Sequence, residues 1–406
     1  MSKFAVLGYG VVGSGVVELF YTNRDSITSK AGQSMDIKYI LDIRDFPNSP
    51  YEDKFVKSIE TILSDDEVTA VAECMGGVHP AYEFVKACLE KGKSVSTSNK
   101  QLVAEKGAEL LKVAKEHHCN FFFEASVGGA IPIIRPLHKC LAANEITEVA
   151  GILNGTTNFI LTKMINEHME FETALAMAQE LGYAEKDPTA DVEGDDACRK
   201  ICIISSLVYG KHVYPNSVYT KGITDISLDD VKYAQKWGGA IKLIAYVKKL
   251  DNGKIIPLVC PMLVSNENLI AHVDDVFNAV MVCGNGIDKT LFYGRGAGKL
   301  PTASAVLGDI INEVQHSETV LSQYWEDTNS TDFIADYSEF TAQMYFRIKG
   351  SNTLVPEGAE TICTDDDDYT VFITKPMSIA DSERLCASIA ENNGMVVSTI
   401  PVLDIK

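Results

Sequence analysis

Residues 182–200, GYAEKDPTADVEGDDACRK, gather carboxylates and a lysine in one short stretch that runs directly into the apolar residues 201–209. Gly182 and Pro188 end helices and form loops, and Gly194 with Asp195 is a start signal for a helix reading DACRKICIISSLVYG. On that helix Asp196 and Lys200 stand four apart and share a face. Ile203, Ile204 and Leu207 continue the stripe of Lys200, so its stem points inward. A lysine aimed at packed surface, with Asp191, Glu193 and Asp196 close in sequence, could act as a positioned proton donor. The competing reading is a solvated acidic loop closed by an i,i+4 ion pair, worth only about 0.3–0.5 kcal/mol. The segment by itself does not choose between them.

The elements that would position such a group begin at the N-terminus. Residues 4–7 form a short apolar strand, Gly8-Tyr9-Gly10-Val11-Val12-Gly13 follows, and Val16, Val17 and Phe20 recur at helical spacing. Gly8 permits a tight turn, Gly10 lets the main chain approach a pyrophosphate, and Gly13 lets helix pack closely on strand. The helix start at Val11 and Val12 favours an anion. A strand-to-helix turn without ligand is the alternative. Short strands at residues 36–41, 68–74, 93–97 and 120–125, separated by helical patterns at 80–91 and 101–117, predict a βαβ order and a parallel sheet. Ligands bind such sheets beyond the carboxyl ends of the strands, where Met75-Gly76-Gly77 and Ser98-Asn99-Lys100 fall, with Lys100 near the nicotinamide half. After the second strand, Asp42 could hold an adenosine ribose hydroxyl as in NAD binders, and Arg44 could pair with a 2′-phosphate as in NADP binders. We favour NADP, with NAD as the alternative.

Composition narrows the class. The chain has 406 residues, 46% hydrophobic, enough for a large core and two or three domains. No apolar run approaches the ~20 residues of a membrane span, and the start MSKFAVLGYG enters a strand directly, so a cytoplasmic protein is expected. A formal net charge of −20 opposes nucleic-acid or anionic-membrane binding and fits small-molecule chemistry. Ten cysteines without a CxxC are expected to be reduced core thiols.

Together, GYGVVGSGV, TSNKQLVA, EASVGGAIPII, GILNGTTNFIL, the acidic segment and GRGAGKLPTASAVLGD resemble homoserine dehydrogenase, in order and across residues 4–316. The resemblance implies NAD(P)-dependent interconversion of L-homoserine and L-aspartate 4-semialdehyde, in threonine, methionine and isoleucine biosynthesis. It implies Lys200 as acid/base, Glu185 and Asp196 as substrate ligands, Lys100 as support for substrate and cofactor, and Gly298 against the nicotinamide end. Chemistry makes these roles reasonable. An α-ammonium group needs carboxylates, which Glu185 and Asp191 or Asp196 can supply. Aldehyde reduction needs a proton at oxygen, which a lysine ammonium gives, while alcohol oxidation needs the neutral amine. Homoserine oxidation should therefore accelerate above neutral pH, a free lysine titrating near ~10.4.

The resemblance also implies a monovalent cation, usually sodium, at Glu124 and the main chain of Val127, Gly129 and Ile131. Glycines in EASVGGAIPII free carbonyls to converge on a hard cation; a Gly-rich hinge connection is the plain alternative.

The expected fold is α/β. A Rossmann-type nucleotide-binding domain takes residues 1–130 plus 295–316, and an α/β substrate-binding and dimerisation domain with an open sheet takes 131–294. A polar linker is expected at 317–336. A small α+β tail at 337–406 resembles an ACT domain trimmed of its first helix, with Gly350-Ser351-Asn352 leading into a Pro-Glu-Gly turn and an acidic run at 365–368. The family pairs the substrate-domain sheet with its twin, so at least a homodimer is expected. His117-His118-Cys119 reads as a solvated helix end, residues 365–368 as a solvated charge run without EF-hand spacing, and Cys74 and Cys202 as core rather than reactive thiols. Two other functions fit parts of the pattern: a dehydrogenase for another amino-acid aldehyde, or a non-catalytic NADP-sensing regulator, which would need neither Lys100 nor Lys200.

Overall fold

A computed structural model describes the chain apart from residues 318, 322–324, 351–354, 367–368 and 406. It divides into two compact units: Met1–Ala143 with Cys202–Pro215 and Gly294–Asn329, and Asn144–Ile201 with Asn216–Tyr293 and Ser330–Lys406.

The first unit runs β1 (Ser2–Leu7), α1 (Val11–Thr22), α2 (Arg24–Ala31), β2 (Met35–Leu41), β3 (Phe55–Val56), α3 (Ile59–Leu63), β4 (Val68–Glu73), α4 (Ala81–Glu90), β5 (Ser94–Thr97), α5 (Lys100–Glu116) and β6 (Phe121–Phe122). The strands form one sheet in the order β3-β2-β1-β4-β5-β6, parallel throughout. The order reverses between β1 and β4, the switch point at which such sheets bind dinucleotides. Strands covered on both faces must be apolar nearly throughout, as in Ala5-Val6-Leu7 and Ala70-Val71-Ala72, all fully buried. Phe4, Val16, Val17, Phe20 and Ile37 share a core with Val306, Leu307 and Ile310, from the part of the chain that returns to this unit at Gly294–Asn329.

The second unit begins with β7 (Ile146–Ile152), α6 (Gly155–Glu167), α7 (Phe171–Glu180) and α8 (Thr189–Val192). There follow α9 (Asp195–Tyr209), β8 (Tyr219–Thr220), α10 (Leu228–Trp237), β9 (Gly239–Lys249), β10 (Ile255–Ser265), β11 (Phe277–Gly284) and β12 (Asp288–Arg295), and α11 (Lys299–Gln315) then returns the chain to the first unit's core. The helices α6 and α7 pack as a hairpin, while the edge strands β8 and β12 escaped sequence reading. The sheet order is β12-β11-β7-β9-β10-β8, with β11, β7, β9 and β10 antiparallel. Residues 240–247 and 255–264 are buried at every position, so both faces of β9 and β10 are already covered. The edge strand β12 is the exposed part of this sheet, with Tyr293 57% accessible.

The tail adds β13 (Thr341–Ala342), β14 (Met344–Lys349), β15 (Glu360–Asp366), β16 (Tyr369–Ile373), β17 (Met377–Ser378), α12 (Ile379–Glu391) and β18 (Met395–Pro401). Its sheet is antiparallel, β15-β16-β14-β18. The strand β15 was not expected: it ends at Asp366, within the acidic run, of which 367–368 lie outside the described residues, as do 351–352 of the expected turn. The tail is not a separate body. Phe346, Phe372, Ile389 and Leu403 share one continuous core with Ile152, Ile244, Leu258 and Met262 of the larger sheet. The buried Arg347 of β14 is bonded to Asp230 of α10 through Nε at 3.0 Å.

The stretch 317–336 also differs from a free linker. The unit boundary does fall in it, between Asn329 and Ser330, yet Trp325 is buried edge-on against Phe123 at 5.3 Å. Its Nε1–H donates to His212 Nδ1 at 2.8 Å, so the imidazole carries its proton on Nε2 and donates to the Ala104 carbonyl at 3.0 Å. Polar composition hid one large anchor.

Candidate active site

β1 delivers the chain into the nucleotide turn. Gly8 holds φ +87°, and a Cβ on Gly13 would lie 1.8 Å from the Gly8 carbonyl oxygen, so neither position accepts a side chain. Nothing lies within 4 Å of a Cβ built at Gly10, which leaves open space beside the start of α1 for a pyrophosphate. Val11 is 68% and Ile43 93% exposed, apolar surface that a dinucleotide lying along this edge would cover; Val12 is half-buried.

Asp42, after β2, is buried, and its Oδ2 accepts the Tyr9 N–H at 2.8 Å. Arg44 grips the same carboxylate through Nε at 3.0 Å and Nη2 at 2.9 Å, and Nη2 also donates to the Tyr9 carbonyl at 3.0 Å. The Arg44 bonds hold the Asp42 carboxyl well below the usual carboxylate range, against the upward push of burial. The two residues that argued opposite ways in sequence are thus one ion pair: the carboxylate is spoken for, and the guanidinium remains 57% exposed.

Met75 and Gly76 leave β4, and Ser98 and Lys100 flank Asn99 at the exit of β5. Asn99 Oδ1 caps α5 by accepting the Leu102 N–H at 3.1 Å, and its Nδ2 donates to the Gly77 carbonyl at 2.6 Å. Lys100 is the first, half-buried residue of α5. Gly298 precedes α11 at φ +128°.

In the second unit, Lys200 and Asp196 sit on the first turns of α9, 6% and 3% exposed. Lys200 Nζ donates to Asp196 Oδ2 at 2.7 Å and to the Leu153 carbonyl at 2.6 Å. Asn154 caps α6 through the Thr157 N–H at 2.8 Å, and its Nδ2 bridges Asp191 Oδ1 at 2.7 Å and Asp196 Oδ2 at 2.9 Å. This rules out the solvated ion pair. A buried lysine and two carboxylates converge under one amide, a cluster able to bind an ammonium group and to move a proton. Glu185 stands apart on an exposed loop, held by Gln179 Nε2 to its own carbonyl at 3.0 Å. Asn154 was the residue that sequence reading missed, although the helix-cap spacing Asn-Gly-Thr-Thr was there to flag it.

The Glu124 carboxylate is already committed: Oε1 accepts the N–H groups of Ile133 and Ile134 at 2.7 and 2.9 Å, and Oε2 accepts that of Arg135 at 2.8 Å. Three amide donors leave it a poor side-chain ligand, so a cation here would be held by main-chain carbonyls. Gly129, at φ +51°, and Val127 and Ile131 lie on the same turn, pinned by Ala130 N–H to the Arg295 carbonyl at 3.0 Å. Among the described residues no three His, Cys, Asp or Glu side chains gather into a metal cluster. Burial pushes the Cys74 thiol up, and Cys202 is buried.

Family models match both halves of the chain: a homoserine dehydrogenase model over residues 132–311 and a homoserine dehydrogenase NAD-binding domain model over residues 8–124. A homoserine dehydrogenase of Lactococcus lactis is 36% identical over 354 residues, 86% of this chain and 82% of that protein. One from Bacillus subtilis is 41% identical, covering 76% of this chain and 72% of its own. The crystal structure of a homoserine dehydrogenase from Thiobacillus denitrificans superposes over 99% of this chain and 98% of its own, with a TM-score of 0.89 at 30% identity. A hyperthermophilic archaeal homoserine dehydrogenase in complex with NADPH matches 77% of this chain and 97% of its own, with a TM-score of 0.64 at 27% identity.

Proposed function

The chain belongs to the homoserine dehydrogenase family, NAD(P)-dependent oxidoreductases acting on a CH–OH group, and from that premise we propose how its own residues divide the work. Lys200 is the acid/base. Asp196 and Asp191, with Glu185 from the exposed loop, bind the substrate's α-ammonium group. The observation that carries this reading is the buried Lys200–Asp196–Asn154–Asp191 cluster.

A bound nicotinamide supplies the hydride acceptor for oxidation of L-homoserine and the donor for reduction of L-aspartate 4-semialdehyde. For oxidation, Lys200 must present a neutral amine to take the hydroxyl proton; for reduction, its ammonium returns one. Asp196 accepts a hydrogen bond from the lysine at 2.7 Å. A substrate ammonium that takes a share of the same carboxylate weakens that bond and eases loss of the proton. Asn154 keeps both carboxylates aimed while this happens.

We assign the cofactor as NADP. Gly8, Gly10, Val11, Val12 and Gly13 would hold its pyrophosphate, Arg44 its 2′-phosphate, and Met75, Gly76, Ser98, Lys100 and Gly298 its nicotinamide end. The Asp42–Arg44 pair and the NADPH bound to the archaeal relative support this over NAD. Sodium at the main chain of Glu124, Val127, Gly129 and Ile131, a cytoplasmic place in threonine, methionine and isoleucine biosynthesis, and an ACT-like origin of the tail belong to the same reading. So does a homodimer, for which the substrate-domain sheet offers its edge strand β12 rather than a bare face. No helix among the described residues is long and apolar enough to cross a membrane.

A spectrophotometric assay with L-homoserine and each cofactor at alkaline pH tests the assignment. Reduction of NADP faster than of NAD is expected; a preference for NAD would overturn the Arg44 assignment.

A further inference from the structure

Glu73 ends β4 with no solvent exposure, and none of the roles above uses it. A carboxylate taken wholly out of water is costly unless bonded, and burial pushes this one up to about 7. Both oxygens are occupied. Oε1 accepts the Met75 N–H at 2.6 Å, and Oε2 accepts the Thr97 hydroxyl. Thr97 Oγ1 in turn accepts the Asn99 N–H at 2.9 Å, and Asn99 Nδ2 reaches back to the Gly77 carbonyl at 2.6 Å. The main-chain carbonyl of Glu73 also accepts the Ser98 N–H, at 3.1 Å. A closed ring of hydrogen bonds therefore joins the loop leaving β4 to the loop leaving β5.

We propose that Glu73 is a positioning residue, whose carboxylate latches Met75–Gly77 to Ser98–Lys100 and so fixes the cradle for the nicotinamide end of the cofactor. The proposal rests on the reading of those two loops as cofactor contacts. A residue needed only for packing at this point would be apolar, like its strand neighbours Val71 and Ala72. Above about pH 7, where the group is ionised, a carboxylate alone accepts at both oxygens from donors on two different loops, so the variants are compared at alkaline pH. An amide in its place keeps one acceptor, for the fixed Met75 N–H, and turns a donor toward Thr97, so the Thr97 hydroxyl loses its carboxylate acceptor and can only take a neutral N–H on its second lone pair. The latch is then weakened on its β5 side.

Glu73→Gln replaces the charge-assisted bond on that side of the ring by a neutral one of reversed direction, and Thr97→Val removes it, each with little change of volume. Each is expected to raise the cofactor KM and the NADPH dissociation constant about tenfold, the loss of one hydrogen bond to a charged group. kcat at saturating cofactor should stay within about twofold, and the double variant should be no worse than either single one, as for two members of one unit. A merely structural role would lower the melting temperature and the active fraction, neither of which moves a KM. Cofactor affinity unchanged in both single variants, or additive losses in the double, would overturn the latch. Ser98→Ala and Lys100→Met separate the two failures. If they weaken NADPH binding while Glu73→Gln does not, the latch alone is wrong; if neither weakens it, the reading of the loops is wrong and the latch falls with it.

Discussion

The Asp42–Arg44 pair illustrates how a residue's meaning depends on what it touches. Read in sequence, an aspartate and an arginine two positions apart vote for different cofactors. Folded, the guanidinium takes two of the carboxylate's four lone pairs and the Tyr9 and Arg44 N–H groups take the other two, so a ribose hydroxyl finds no free acceptor there. Arg44→Ala should raise the NADP KM by about 10- to 100-fold, the range for charge-assisted bonds to phosphate, and leave the NAD KM level or lower as Asp42 is released. Steady-state kinetics with both cofactors reads this directly. Glu73 makes a pH prediction of the opposite sign to an ordinary salt-bridged acid. Burial pushes its pKa up to about 7, above the ordinary glutamate value of 4.5. Its contribution to stability is therefore fully present below the unfolded value and is lost as pH rises through about 7. The melting temperature of the wild type should fall relative to Glu73→Gln between about pH 5 and 8, and a constant difference in scanning calorimetry would refute the shift. Lys200, Asp196 and the glycine turn were legible because their spacing is helical or turn-specific. Asn154 and Glu73 were not, because each acts through partners far away in sequence.

Elements were legible where one face is buried and the other is not, or where burial is complete. The parallel strands and α9 read cleanly for that reason, whereas β8, β12 and β15 are short or polar edge strands whose pairing, not pattern, makes them strands. The 317–336 segment is the sharpest case. Its composition reads as linker, yet Trp325 fills a site between Phe123 and His212. Burial lowers the His212 pKa and favours the neutral ring that accepts the indole N–H. Trp325→Ala should cost about 3–5 kcal/mol, the range for emptying a buried aromatic site. Chemical denaturation followed by circular dichroism would measure it, and a loss below about 1 kcal/mol would mean that the site collapses or is dispensable.

For the whole molecule, sequence reading treated the tail as a separable module. A trimmed regulatory module should be removable, whereas here Phe346, Phe372 and Leu403 complete a core begun by Ile152, Leu258 and Met262. Deleting residues 337–406 would expose that core and leave Asp230 without Arg347, a buried pair whose breakage costs about 3–5 kcal/mol. The shortened chain is therefore expected to aggregate or lose most of its thermal stability, as light scattering and melting curves would report; a stable, fully active shortened enzyme would contradict the shared core. Regulation is better tested on the full chain, by adding threonine and related amino acids to the assay. The central claim is that one buried lysine moves the proton, and its most direct test is the pH profile of L-homoserine oxidation by the wild type and by Lys200→Ala. The wild-type rate should climb above neutrality as the amine is freed, and the variant should lose roughly 10²–10⁴-fold in kcat in both directions while NADPH affinity stays unchanged. Near-normal turnover in Lys200→Ala, with the same rise in pH dependence, would contradict it.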